Sequence, residues 1–343
     1  MDSLAAAPGT GPATSPLPVL RARTSVATFD RLPTDRTVVM GILNCTPDSF
    51  SDGGEYNSLD TAISHGLRMF YGGADIIDVG GESTRPGAED VDEAEEQRRI
   101  LPVVEALAKA GALVSVDTRH ASTAAAAIDA GAGLINDVSG TNVHPDMIAL
   151  IAERQVPYVL MHSRGDSRHM DSLTRYDDVV GDVVRELAEV RERFYAAGVK
   201  PEKIIVDPGV GFSKNADQNW ELLANLDRVV AMGNRVLVGT SRKRFLGSLL
   251  TTAGKAAAPK ERDDATSATT ALAAAQGIWG VRVHDVGASL DAAKVAARML
   301  TGKRNREARL AARAAEGESP EGQAAAGQAA AGQARPEPAR ASL

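Results

Sequence analysis

Val38-Val39-Met40-Gly41-Ile42-Leu43, running directly into Asn44-Cys45-Thr46-Pro47-Asp48-Ser49-Phe50-Ser51-Asp52-Gly53-Gly54, is the stretch from which the fold is read. Its first half is a short apolar, β-branched run of the kind that forms a buried strand. The second half turns abruptly to amide, hydroxyl, carboxylate and glycine. Pro47, Asp48, Asp52, Gly53 and Gly54 are residues that a central strand rejects and a loop accepts. Asn44 therefore falls at the C-terminal end of a strand. Taken alone, the same pattern fits an ordinary strand-to-helix connection, so its meaning depends on whether it recurs.

Eight such apolar runs occur along the chain: Val38–Leu43, Ile76–Val79, Leu113–Val116, Leu134–Val138, Tyr158–Met161, Ile204–Val206, Val236–Val238 and Val281–Val283. Segments of helical period separate them, such as Leu59, Ala62, Ile63, Gly66, Leu67 and Phe70, or Val180, Val183, Val184, Leu187, Val190 and Phe194. Pro102 interrupts the second of these and predicts a kink or a restart there. Residues 251–261 read as a loop within the seventh. Alternating strand and helix predict an α/β fold with a parallel sheet, and eight units in about 270 residues fit a (β/α)8 TIM barrel. A doubly wound open sheet is the alternative, but it has no need of eight equivalent strand ends.

Around this middle, composition sets limits. The 343 residues are 43% hydrophobic and 24% charged, with formal net charge −7, which suits a folded protein and argues against a general nucleic-acid binder. A single cysteine, Cys45, excludes an intrachain disulfide framework and suits the cytoplasm. No apolar segment approaches the roughly 20 residues that span a bilayer, and no signal peptide is legible. Residues 1–35 are rich in Ala, Pro, Gly, Thr and Ser near their start, and the end of the chain repeats Gly-Gln-Ala-Ala-Ala. Both ends are expected to be largely disordered extensions, at 1–35 and 304–343, around a catalytic domain at Arg36–Lys303.

A barrel places its active site at the C-terminal ends of the strands. Polar residues follow the runs there: Asn44, Gly80 to Gly87, Asp117, Asn136-Asp137, His162, Asp207-Pro208-Gly209, Ser241-Arg242-Lys243 and His284-Asp285. Asp117, Asn136, Asp207 and Lys243 together offer carboxylate acceptors, an amide and an ammonium. That set suits a flat heterocycle with amidine-like N–H groups and ring acceptors. Each aspartate taken singly also reads as a helix cap. In Val281-Arg282-Val283-His284 the alternation puts Arg282 and His284 on the face opposite the valines, which points to an anion site for phosphate or pyrophosphate. No Walker A or Rossmann glycine pattern is present. His65, His120, His144 and His169 lack metal-ligand spacing and read as incidental, and Cys45 reads as a packed small residue rather than a nucleophile.

Seven motifs in order carry a resemblance: NCTPDSFSDGG from Asn44, DVGGESTRPGA from Asp78, SVDT from Ser115, INDVSG from Ile135, VDPGVGF from Val206, GTSRKRFLG from Gly239 and VRVHDV from Val281. Over nearly all of Arg36–Lys303 the chain resembles the dihydropteroate synthases of folate biosynthesis. The resemblance implies a dimeric (β/α)8 barrel that joins 6-hydroxymethyl-7,8-dihydropterin pyrophosphate to p-aminobenzoate, with Mg²⁺ as cofactor. It implies Asp117, Asn136, Asp207 and Lys243 around the pterin, and Asn44, Arg282 and His284 on the pyrophosphate, with the Asn44 carbonyl on Mg²⁺. It implies Phe50, Thr84, Arg85 and Pro86 at the p-aminobenzoate site and Asp52 facing the reacting methylene, on loops expected to be mobile until substrates bind. Where many relatives have Ser after the lysine this chain has Arg244, and Ser163-Arg164-Gly165-Asp166 departs from the family pattern after Met161-His162. Two alternatives stand beside the synthase: a methyltetrahydrofolate-dependent methyltransferase barrel and a pterin-binding homologue without catalysis.

Overall fold

In the computed structural model, which describes residues 28–46, 55–82, 91–165 and 173–315, each of the eight apolar runs is a strand. They are β1 (Val38–Asn44), β2 (Ile76–Gly80), β3 (Val114–Asp117), β4 (Leu134–Asp137), β5 (Tyr158–Met161), β6 (Ile204–Asp207), β7 (Arg235–Val238) and β8 (Gly280–Val283). All neighbours pair in parallel, and β8 returns to β1 to close the barrel. The helices are α1 (Glu55–Tyr71), α2 (Glu93–Lys109), α3 (Ala121–Asp129), α4 (Pro145–Arg154), α5 (Val179–Ala196), α6 (Ala216–Ala224), α7 (Leu226–Val230), α8 (Arg244–Leu249), α9 (Asp263–Ala275) and α10 (Val286–Ala315). Closure excludes the open sheet.

Because side chains alternate along a strand, each strand sends one set inward and one outward. Val38, Met40, Ile76, Leu113, Leu134, Val159, Ile205 and Leu237 form a separate interior cluster. Burying each such side chain stabilises by about 1.5–3 kcal/mol. Two or four residues further along the same strands, the inward positions become Asn44, Asp78, Asp117, Asn136 and Asp207. The interior thus changes from apolar to polar toward the C-terminal strand ends. The outward set, including Val39, Leu43, Ile77, Val79, Val116, Ile135 and Val206, joins the buried faces of the helices in the main core.

The described residues begin at 28, before Arg36. A 3-10 turn at Phe29–Arg31 precedes β1, and Phe29, Leu32 and Trp279 pack against the interior cluster. Arg36 then grips Asp75 with two bonds of 2.7 and 2.8 Å, and Asp75 also accepts from the Val39 amide. Apolar burial by a few residues, invisible to composition, orders this segment.

Pro102 does not split its helix. α2 runs through it from the Asp92 cap, burying Ile100, Val103, Val104 and Leu107. An interior proline costs a helix about 3 kcal/mol, and burying four apolar side chains outweighs that. The irregular stretch expected around residues 251–261 is present, between α8 and a 3-10 turn at Pro259–Arg262.

Two compact units divide the chain at Ala296 and Ala297. The first contains the barrel. In the second, the helix begun at Val286 continues to Ala315, past the Lys303 edge expected from composition. Gly302–Ala314 are exposed there, and alanine, arginine, lysine, glutamate and leucine sustain a helix by propensity without burial. No helix among the described residues is long and apolar enough to cross a membrane.

Candidate functional site

Arg282 stands at the centre of the polar end of the barrel. It enters from β8, where Met40 of β1 is its register partner, and its guanidinium bonds two carboxylates: Nε to Asp78 Oδ2 at 2.6 Å and Nη2 to Asp117 Oδ2 at 2.7 Å. Asn136 donates to the same Asp78 oxygen at 3.2 Å. Residues from β2, β3, β4 and β8 therefore meet in one network. The sequence reading put Arg282 on the inner face, where it lies, but as a cation for phosphate alone. Here its charge is shared with Asp78 and Asp117, and both carboxylates raise its pKa despite the opposing effect of burial. Burial pushes the Asp117 carboxyl up to about 7, with Arg282 opposing and Asp78 adding to the rise.

Asp207 and Lys243 form the other side. Burial raises Asp207, with Lys243 as the largest opposing influence. Burial also lowers Lys243, to about 8, with Asp207 opposing. Lys243 is the N-cap of α8; its Nζ bonds the Val210 carbonyl and lies 4.6 Å from the Phe212 ring centroid. A methyl group at Gly239 would sit 3.8 Å from Lys243 Nζ and 3.8 Å from Arg282 Cβ. The missing side chain keeps space open between the two cations. Asn136 and Asp117 thus meet through Asp78 and Arg282, while Asp207 and Lys243 lie close enough to influence each other's charge.

His284 follows β8. Its Nδ1 lies 2.9 Å from Ser241 Oγ, and its backbone N–H donates to the same oxygen at 3.1 Å. Ser241 thereby fixes both ring and backbone. Asn44 ends β1 opposite Gly80, half-buried, and none of the described residues hydrogen-bonds its side chain. An amide carbonyl is a hard oxygen donor, and Mg²⁺ commonly takes one or two protein oxygens together with substrate phosphates and water. Asn44 fits such an ion. Phe50, Asp52, Thr84, Arg85 and Pro86 lie outside the described residues.

Three side chains in this region escaped the sequence reading. Asp78 is wholly buried and links Arg282 to Asn136, while its Oδ1 has no hydrogen-bond partner among the described residues. Its signal was the break in the apolar run Ile76-Ile77-Asp78-Val79 at an inward position. Ser241 stands in sequence only as the start of the basic run Ser241-Arg242-Lys243. Lys214 is buried beside His162 and had no signal in sequence. Asp137, by contrast, turns outward from the barrel and accepts from Tyr158 Oη at 2.7 Å.

His120 lies beside two carboxylates. With Glu82 and Glu96 it forms a group whose ligand atoms lie within 4.8 Å of one another and could hold a metal ion. Glu96 is fully buried, accepts from Thr118 Oγ1 at 3.0 Å and meets His120 Nδ1 at 3.0 Å, while Glu82 pairs with Arg119. Long sequence separations hid this group. His144 caps α4, and His169 lies outside the described residues. Cys45 is buried, with its thiol pushed up to about 12 by desolvation, which agrees with a packing role. Arg164 bonds Glu186 and stacks over Tyr176 at 3.9 Å, so the segment after His162 is anchored to α5. Arg244 is exposed at the start of α8.

Residues 40–284 match the family model described as pterin binding enzyme. A dihydropteroate synthase of Mycobacterium leprae is 50% identical over 259 residues, covering 75% of this chain and 91% of that protein. Among solved structures, the Xanthomonas albilineans dihydropteroate synthase with 4-aminobenzoic acid is similar at 44% identity and TM-score 0.70, covering 76% of this chain and 92% of that one. The Yersinia pestis dihydropteroate synthase in complex with a sulfonamide drug is similar at 42% identity and TM-score 0.73, covering 79% and 96%.

Proposed function

This chain belongs to the pterin-binding enzyme family, and from that premise we infer that it performs the dihydropteroate synthase reaction. It condenses 6-hydroxymethyl-7,8-dihydropterin pyrophosphate with p-aminobenzoate to give 7,8-dihydropteroate and pyrophosphate. The observation that most supports this reading is the network in which Arg282 bonds Asp78 and Asp117 and Asn136 bonds Asp78, with Lys243 across Gly239 from Arg282 and Asp207 offsetting the effect of burial on Lys243. A heterocycle with an N–H edge and a leaving pyrophosphate would use both halves of that arrangement.

In the proposed division of labour, Asp207 and Asn136 take the pterin edge and Lys243 donates to a ring acceptor. Asp117 joins them by turning one oxygen to the pterin while the other stays on Arg282. The Arg282 guanidinium has Nη1 unused by the described residues, so a phosphate oxygen could bond it without breaking the two carboxylate contacts. His284, fixed by Ser241, would donate to the same anion. Asn44 would hold Mg²⁺, which when bound offsets the charge of the pyrophosphate oxygens.

The reaction is a substitution at the pterin methylene. The C–O bond breaks with its electron pair leaving on pyrophosphate, and positive charge spreads into the pterin ring. Arg282 and His284 favour the charge developing on the leaving group. The p-aminobenzoate nitrogen then forms the new C–N bond with its lone pair and loses a proton. No covalent enzyme intermediate is required, in keeping with the raised Cys45 thiol. Phe50, Asp52, Thr84, Arg85 and Pro86 remain the proposed contacts on the p-aminobenzoate side. Sulfonamides, as p-aminobenzoate mimics, should compete with it.

Pyrophosphate release is the direct test. Protein, pterin pyrophosphate and Mg²⁺ should release pyrophosphate only when p-aminobenzoate is added, and no release above background with all four present would end this reading. A cytoplasmic homodimer is the proposed setting; light scattering that gives a monomer at working concentration would remove the dimer.

A further inference from the structure

The best-anchored buried cation outside the substrate set is Lys214. Its ammonium has three N–H donors and meets three acceptors: the Gly209 carbonyl at 3.1 Å, the Phe212 carbonyl at 3.0 Å and His162 Nδ1 at 3.0 Å. An ammonium has no lone pair, so His162 Nδ1 accepts and its Nε2–H faces Glu186 at 3.0 Å. Burial pushes His162 down to about 4, consistent with a neutral ring in that tautomer.

The two carbonyls held by Lys214 flank Val210 and Gly211, and those residues carry Lys243. Val210 supplies the carbonyl that accepts from Lys243 Nζ, and Phe212 supplies the ring beneath it. Gly211 has a positive φ of 83°, and a Cβ there would come within 2.6 Å of Lys243 Cδ. At the other end of the loop, Gly209 donates to Asp207 Oδ1 at 2.7 Å. One buried cation therefore fixes the backbone between two groups assigned to the pterin.

We propose that Lys214 is a positioning residue for the pterin half of the site, holding residues 209–212 in the form that sets Lys243 and Asp207 toward the heterocycle. This rests on the pterin reading of the pocket. A lysine serving only to hold the fold would contribute to stability and leave binding in the folded protein untouched. Burial pushes the Lys214 amine down to about 7, so holding it as an ammonium carries a desolvation cost that the three acceptors around it offset.

The test is calorimetric binding of 6-hydroxymethyl-7,8-dihydropterin pyrophosphate with Mg²⁺ and without p-aminobenzoate, so that no turnover occurs. Lys214→Met keeps the length and removes every donor; its Kd should rise about tenfold or more. Lys214→Gln keeps an amide donor without charge, should fall between, and serves if the methionine variant does not fold. Steady-state KM for the pterin substrate should follow the same order, with KM for p-aminobenzoate within about twofold of wild type. A lowered melting temperature with unchanged Kd in a folded variant overturns the proposal. Absence of binding by the wild-type protein would instead overturn the pterin reading itself.

Discussion

Replacing Arg282 by methionine removes the guanidinium from between Asp78 and Asp117 while keeping an apolar stem. The wild-type protein makes two charge-assisted bonds there, of 2.6 and 2.7 Å. Each such bond is worth about 1.5–3 kcal/mol, and removing one partner of a buried ion pair costs about 3–5 kcal/mol because the other is stranded. Asp78 is 0% exposed and Asp117 8%, so neither regains water without opening the barrel mouth. Relief must come from a proton. In the wild-type protein the Asp117 carboxyl already stands at about 7 against an ordinary 3.8. Its folded value is raised, so the stability it contributes is fully present below about pH 4 and lost as pH rises through 7. Without Arg282 that folded value rises further, so the loss extends to higher pH. Urea denaturation followed by circular dichroism should show a penalty of about 3–5 kcal/mol at pH 8.5 and a clearly smaller one at pH 5.5. A penalty below about 1 kcal/mol at pH 8.5, or the same penalty at both pH values, would refute the pairing.

Asp117→Ala should weaken pterin pyrophosphate binding by about 1–3 kcal/mol in calorimetry, and unchanged affinity would remove Asp117 from the pocket. Tyr158→Phe leaves the buried Asp137 short of a donor and should cost about 1–3 kcal/mol of stability with substrate KM values unchanged; a changed KM would mean that Asp137 reaches the substrate region. Gly209→Ala places a Cβ 1.8 Å from the His162 carbonyl oxygen at a φ of +68°, so soluble, active protein at wild-type yield would contradict the loop geometry. If Glu82, Glu96 and His120 hold an ion, Zn²⁺ should raise the melting temperature of the wild-type protein and not that of His120→Ala; equal shifts in the two would exclude the group.

Much of this protein was legible from local pattern. Strand ends such as Asn44, Asp117 and Asp207 announce themselves because apolar runs stop at polar residues, and a side-chain period of two puts Arg282 and His284 on one face, opposite the valines, whatever the neighbours are. The family motifs lie on these same strand ends, so the pterin-binding reading and the barrel were available together. Local reasoning was weaker where burial overrides propensity, as at Pro102, whose helix is held by Ile100, Val103, Val104 and Leu107, and at Phe29, whose order comes from packing on the interior cluster.

Partnership was beyond the sequence. That Arg282 bonds residues 204 and 165 positions earlier follows from closure of β8 onto β1, which no stretch of the chain encodes by itself. The approach of Glu82, Glu96 and His120, and the three acceptors around Lys214, arise in the same way. Periodicity fixes which face a side chain takes, since that depends on nearest neighbours in the chain. What it meets there, and hence its charge state, depends on residues brought together only when the barrel closes.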